Sequence, residues 1–192
     1  MCEAPASIAP LVFVANDTAG APSSGINIKI TDPDGLFIGA DSLDAITNTI
    51  GGVASYLAVA TNDSVIISAP KVGNYTVSAV LQASGGIPGC CAVVTVARAA
   101  LPEDTLGPFE RPLSGEEVIV GTVSFTYGDA NNDGSINIAD VTYMIARIFS
   151  GGPAPKPNSD AGDANCDTSF NIADVTFLIA RIFSGGPAPG CN

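Results

Sequence analysis

Apolar and polar residues alternate in short runs along the first two thirds of the chain. The runs fall at 7–15, 26–31, 53–61, 64–68, 75–83, 91–99 and 117–127, and each is rich in Val, Ile, Thr or Tyr. A period of two puts one side of each run on a buried face. Turn formers separate them, among them Asn16-Asp17-Thr18, Asp32-Pro33-Asp34-Gly35 and Thr61-Asn62-Asp63. Strands at this spacing, with no amphipathic helix between them, predict an antiparallel β-sandwich over 1–127, immunoglobulin-like in the loose sense. Segment 99–114, with its prolines and mixed charges, reads as a long loop before the last strand. Val72-Gly73-Asn74-Tyr75-Thr76-Val77 has the spacing of a tyrosine corner; an ordinary half-buried strand tyrosine fits it equally well.

The period changes beyond residue 127. Segments 138–149 and 172–183 read as helices, and each is preceded by a polar loop. The first loop is Asp129-Ala-Asn-Asn-Asp-Gly-Ser-Ile-Asn-Ile-Ala-Asp140, and it recurs 34 residues later as Asp163 to Asp174. Oxygen-bearing residues stand at loop positions 1, 3, 5, 7, 9 and 12, the spacing of an EF-hand calcium loop. The candidate ligands are Asp129, Asn131, Asp133, Ser135 (by its carbonyl), Asn137 and Asp140. Their repeats are Asp163, Asn165, Asp167, Ser169, Asn171 and Asp174. Ca2+ is a hard cation that takes six to eight oxygens, so such a loop must curl to aim them at one point. Gly134 supplies the sharp turn at position 6; Thr168 stands there in the second loop, which is expected to be more strained. An Asx-turn-rich surface loop without metal is the bland alternative, and six positions matched twice weigh against it.

Asn137 and Asn171 are expected N-caps, with Asp140 and Asp174 at the third helical position. Val141, Ile145, Ile148 and Phe149 form one helical face, matched by Val175, Ile179, Ile182 and Phe183. The other faces are also apolar or small, more than two short helices can bury in each other. The excess points to a partner surface at Ile138, Ala139, Ile145 and Ala146, and at Ile172, Ala173, Ile179 and Ala180.

A duplicated loop with a helix after it and none before it resembles the type I dockerin module, over residues 128–189. The copies 128–155 and 162–189 differ only at Asn132/Cys166, Gly134/Thr168, Ile136/Phe170, Tyr143/Phe177 and Met144/Leu178. The resemblance implies a calcium-folded docking module whose usual partner is a cohesin domain. Better-known members carry a Ser-Thr pair at loop positions 10 and 11 and a basic pair in the helix. Ile138-Ala139, Ile172-Ala173, Ile145-Ala146 and Ile179-Ala180 stand in those places here, which implies a more hydrophobic interface.

Two domains are therefore expected, a sandwich at 1–127 and a calcium module at 128–192. The chain as a whole is mainly β with a small α module. Formal net charge is −12, which argues against nucleic acid. Residues 1–127 hold 12 acids and 4 bases, and 128–192 hold 7 acids and 3 bases. Two calcium ions would neutralise the −4 of the second region, so metal-coupled folding is expected. A third ion near Asp32 and Asp34, with Asp41 and Asp44 nearby, competes with a plain Asx turn, and the turn is favoured. Five cysteines suggest an oxidising, extracellular or cell-surface setting. Met1-Cys-Glu-Ala-Pro shows neither the basic leader nor the apolar core of a signal peptide, so a signal has been removed or export takes another route. No apolar run is long enough to span a membrane.

Cys166 and Cys191 are expected to bridge and pin the C-terminus across the module. For Cys2, Cys90 and Cys91, a bridge within the chain, a bridge to another chain, a vicinal disulfide and a free thiol all remain open. The chain has no His and no Gly-rich phosphate loop, so no catalytic constellation is legible. The expectation is a non-enzymatic assembly protein, with the β-sandwich of one copy receiving the calcium module of the next to build a fibre. The alternative is a binding protein that docks on a cohesin-like domain of a separate scaffold, its sandwich recognising carbohydrate or cell wall.

Overall fold

A computed structural model describes residues 10–17, 26–58, 63–81, 91–98, 101–110 and 116–191; at 15–17, 26, 81, 91–98 and 101–110 it describes the backbone alone. The chain divides into two compact units, Pro10–Val123 and the part from Ser124 onward.

The first unit is built from β1 (Leu11–Asp17), β2 (Ile26–Thr31), β3 (Phe37–Ala40), β4 (Ile46–Asn48), β5 (Ala54–Ala58), β6 (Asp63–Ile67), β7 (Gly73–Leu81), β8 (Cys91–Arg98), β9 (Leu101–Glu110) and most of β10 (Glu117–Phe125). They make two five-stranded sheets, ordered β5-β6-β1-β8-β9 and β10-β7-β2-β3-β4. The pairs β1–β6, β1–β8, β2–β3, β2–β7, β3–β4, β5–β6 and β8–β9 are antiparallel. Alternation does the work foreseen for it. Leu11, Phe13, Val65 and Ile67 from one sheet, and Ile28, Ile30, Ile38, Tyr75, Val77 and Ala79 from the other, are all but fully buried. Phe13 and Tyr75 meet between the sheets with ring centroids 6.4 Å apart. The Tyr75 hydroxyl accepts the Lys71 N–H at 2.6 Å and donates to the Lys71 carbonyl at 3.1 Å. That is a tyrosine corner, and of the two readings of this residue it is the one realised.

Three strands escaped the sequence reading. Segment 99–114 is not all loop, since β9 occupies Leu101–Glu110. Its Pro102 and Pro108 misled, because proline is depleted in strands. The strand lies at a sheet edge, where a missing N–H is tolerated, and its pairing with β8 shifts register twice. Strands β3 and β4, of 4 and 3 residues, were too short to show a period. Residues 7–9 of the first expected strand lie outside the described residues, as do Cys2 and Cys90.

The second unit holds α1 (Ile138–Ser150), a 3-10 turn (Ser159–Gly162) and α2 (Ile172–Ser184). Asn137 and Asn171 cap the helices as expected, each within a capping box closed by Asp140 or Asp174, and Gly151 and Gly185 end them at φ 67° and 65°. The core between the helices is Ala130, Val141, Met144, Ala164, Val175 and Leu178, with Tyr143, Ile148, Phe170, Phe177 and Ile182 packed on it. The repeats close on each other reciprocally. A Cβ on Gly128 would lie 2.9 Å from Pro189, and one on Gly162 would lie 2.7 Å from Pro155. Each repeat's first residue thus meets the other repeat's last.

This corrects the expected helix face. Met144 and Leu178 are wholly buried, whereas Phe149 and Phe183, assigned to the face with Val141 and Val175, are 69% and 70% exposed. Positions 141, 144 and 148 make the inner stripe. Positions 138, 145 and 149 make a second apolar stripe beside it, turned outward.

Candidate metal centre

Each calcium-type loop is a chain of Asx turns wound around its first carboxylate. Asp129 is 2% exposed; its Oδ1 accepts the Asp133 N–H (3.1 Å) and its Oδ2 the Gly134 N–H (2.9 Å). Asn131 Oδ1 also accepts the Asp133 N–H (2.9 Å), and Asp133 Oδ1 accepts the Ser135 N–H (2.9 Å). These bonds bend the backbone through Asn132 (φ 60°) and Gly134 (φ 86°). Asp140 is fully buried and closes the ring from the helix, taking the Asn131 N–H on Oδ1 (3.2 Å) and the Asn137 N–H on Oδ2 (2.9 Å). Asn137 uses Oδ1 to cap Ala139 (2.8 Å), and its amide nitrogen donates to the Ser135 carbonyl (3.1 Å).

The second loop repeats this bond for bond. Asp163 accepts from Asp167 (3.0 Å) and Thr168 (2.8 Å), Asn165 from Asp167 (3.0 Å), and Asp167 from Ser169 (2.9 Å). Asp174, also fully buried, accepts from Asn165 (3.2 Å) and Asn171 (2.8 Å), and the Asn171 amide donates to Ser169 (2.9 Å). The price of lacking glycine is visible at Thr168, a β-branched residue held at φ 72°.

Charge makes the case for a cation. Burial raises the pKa of Asp140 above the ordinary carboxylate range, and the charges of Asp129 and Asp133 add to the rise. Asp174 is raised in the same way, by burial and then by Asp163 and Asp167. Asp129 is raised by burial first, against the pull of its backbone hydrogen bonds. The ion pairs of Lys29 and Lys71 lie far along the chain from either loop. Each loop gathers three mutually repelling carboxylates around polar oxygens. No three acidic or cysteine side chains among the described residues are drawn tightly enough to make a cage by themselves. The remaining donors are amide and carbonyl oxygens, the hard set that suits Ca2+. The residues fit the ion; Asp129, Asn131, Asp133, Ser135, Asn137 and Asp140 would hold one, and their repeats another.

At Asp32 a lysine, Lys71, pairs with two of the carboxylates. Asp32 Oδ1 accepts the Asp34 and Leu36 N–H groups, each at 2.9 Å. Its Oδ2 lies 3.5 Å from Lys71 Nζ, which also pairs with Asp34. Asp41 Oδ1 accepts from Leu43 (2.8 Å) and Ala45 (3.0 Å), and the Asp44 carboxylate accepts from the Asn27 amide (3.0 Å). These are turns tied to the chain around them.

Cys166 and Cys191 are bridged, with Cα atoms 5.3 Å apart. Ile138, Ile145, Ile172, Ile179 and Ala180 of the expected partner surface are exposed, while Ala139, Ala146 and Ala173 are half-buried. Phe149 and Phe183 join that surface and were missed. Their spacing from Ile138 and Ile172, eleven residues in each repeat, was the signal that could have placed them there.

Two capping-boxed loop–helix units packed head to tail define a duplicated calcium-loop module. The family model for the type I dockerin domain matches residues 127–183. Dockerin domains of this type bind calcium and dock other proteins, usually cohesins, and they occur in extracellular or cell-surface proteins. No curated protein and no solved structure matches the chain. No helix among the described residues is long and apolar enough to cross a membrane.

Proposed function

We propose that the chain is a non-enzymatic extracellular assembly protein. Two calcium ions hold the helices of its dockerin-like module in register, and the module docks on the β-sandwich of another copy, head to tail. The observation that carries this reading is the outward apolar stripe Ile138, Ile145, Phe149 with its duplicate Ile172, Ile179, Phe183. Hiding about 400 Å2 of such surface is worth on the order of 10 kcal/mol before the costs of association. A second apolar surface on the same chain favours a copy as the partner. Strands β4 and β5 are edges of the two sheets and touch each other. Leu43, Ile46, Val53 and Leu57 are exposed on and beside them. Two different patches on one chain make a heterologous contact, which builds a filament when its rotation does not close. The alternative, a cohesin on a separate scaffold, is supported by the usual habit of type I dockerins. The sandwich itself reads as immunoglobulin-like. Order β4-β3-β2-β7-β10 follows C″C′CFG and β5-β6-β1 follows DEB, with Tyr75 at the start of β7 and β8 beside β1 where strand A would lie.

A sizing column with light-scattering detection separates the two partners. Pure protein in calcium should give large species that shrink on chelation, and Ile138→Asp with Ile172→Asp should prevent them while calcium still binds. A wild-type chain that stays monomeric at high concentration in calcium removes self-assembly and leaves the cohesin-type partner.

A further inference from the structure

Cys166 is the fourth residue of the second loop, between Asn165 and Asp167. Its backbone is left-handed at φ 58°, as is that of Asn132 at the same place in the first loop (φ 60°). Two residues further on, the loops diverge again, with Gly134 in the first and Thr168 in the second. The repeats differ at three loop positions, and two of these are left-handed ones, where the second loop has a bridged cysteine for Asn132 and threonine for Gly134.

The bridge reaches well beyond its own loop. Pro189 packs against Gly128, and a Cβ on Gly190 would lie 3.8 Å from the Tyr127 ring. Residues 189–191 thus run from the start of the first calcium loop to the middle of the second. In the first repeat the matching Pro155 packs on Gly162, and the next residue is fastened by the main chain, with the Lys156 N–H donating to the Ala130 carbonyl at 3.0 Å. After Pro189 the covalent fastening is the bridge to Cys166.

We propose that the Cys166–Cys191 bridge sets the calcium affinity of the second loop. Closed, it holds the left-handed turn at Cys166, two residues before the Thr168 that stands where the first loop has glycine; open, the second site weakens and the first keeps its affinity. The proposal rests on the calcium-docking reading of both loops. Its physical basis is preorganisation. Tying Cys166 to a packed tail removes open conformations of the loop from the metal-free ensemble, so less order must be imposed when the ion arrives. Opening takes two electrons and two protons from a dithiol reductant, which leaves as its own cyclic disulfide while Cys166 and Cys191 become thiols.

The test is calcium titration calorimetry on the full chain in four forms. These are the parent, the parent held in dithiol reductant, Cys166→Ser/Cys191→Ser, and that pair with Thr168→Gly added. Asp129→Ala in each form reports the second site alone, and Asp163→Ala reports the first. Loss of the bridge should weaken the second site roughly tenfold or more and the first by less than about threefold, and Thr168→Gly should restore much of the loss. Hydrogen exchange on the calcium-free protein reads the same coupling without metal. Amides of 163–171 should exchange faster when the bridge is open, and those of 129–137 should not change. Equal weakening of both sites, no weakening, or no rescue by Thr168→Gly overturns the proposal. A parent that binds calcium at neither loop removes the calcium reading and the coupling with it, whereas unchanged binding with the bridge open removes the coupling alone. Where the double variant does not fold, the reduced parent decides.

Discussion

Exchanging the position-6 residues of the two loops should move stability in opposite directions. Thr168 is exposed and sits at φ 72°, with its N–H bonded to Asp163 at 2.8 Å. Gly134 holds the same bond to Asp129 at 2.9 Å from φ 86°, and a Cβ there would meet nothing within 4 Å. The substitutions therefore break no hydrogen bond, remove little packing and introduce no clash; what changes is backbone preference. A non-glycine residue in the left-handed region costs about 1–2 kcal/mol. Glycine's greater freedom in the unfolded chain offsets about 0.5–1 kcal/mol of that. Thr168→Gly should then stabilise the second unit by about 1 kcal/mol, and Gly134→Thr should destabilise it by a similar amount. For a domain of this size each is a shift of about 4–8 °C in Tm. Far-UV circular dichroism melts of the full chain, in saturating calcium and after chelation, measure both. If the two substitutions shift Tm in the same direction, or if Thr168→Gly lowers it, backbone strain is not what distinguishes the loops.

The metal-free second unit should lose stability as pH rises. Asp129, Asp140 and Asp174 have raised pKa values when folded, so between the ordinary carboxylate value and those raised values the folded chain binds more protons than the unfolded one. Urea midpoints of chelated protein should therefore be higher at mildly acid than at neutral pH, while calcium affinity should fall over the same acid range; a midpoint that rises with pH would reverse the sign. Phe149→Ser with Phe183→Ser should change the stability of the single chain by less than about 0.5 kcal/mol, since both rings are exposed, yet weaken association in calcium at least roughly tenfold by light scattering. Tyr75→Phe should cost about 1–2 kcal/mol in denaturant unfolding of the sandwich, because it strips both partners from the Lys71 backbone.

The sequence by itself determined whatever is encoded locally. Position by position, the loop spacing marked the carboxylates that the fold draws around each turn. Asn137 and Asn171 announced the helix starts, and Thr168 a strained turn where the first loop has glycine. These features depend on a few consecutive residues and on backbone hydrogen bonds a short way along the chain, so a neighbouring element cannot override them. The bridge between Cys166 and Cys191 was legible too, because the repeat fixed where one partner would lie. Tertiary structure decided which apolar residues are hidden. Nothing local to α1 distinguishes Met144 from Phe149. Only the approach of α2, with Val175 and Leu178, selects the inner stripe and leaves Phe149 and Phe183 in water. The same holds for β9, whose prolines forbid a central strand but not an edge, and whether a strand lies at an edge is a property of the sheet. Sheet order likewise depends on pairings between residues distant in sequence, such as Phe13 with Val65 and Val96 on either side of it, and no local pattern carries that information.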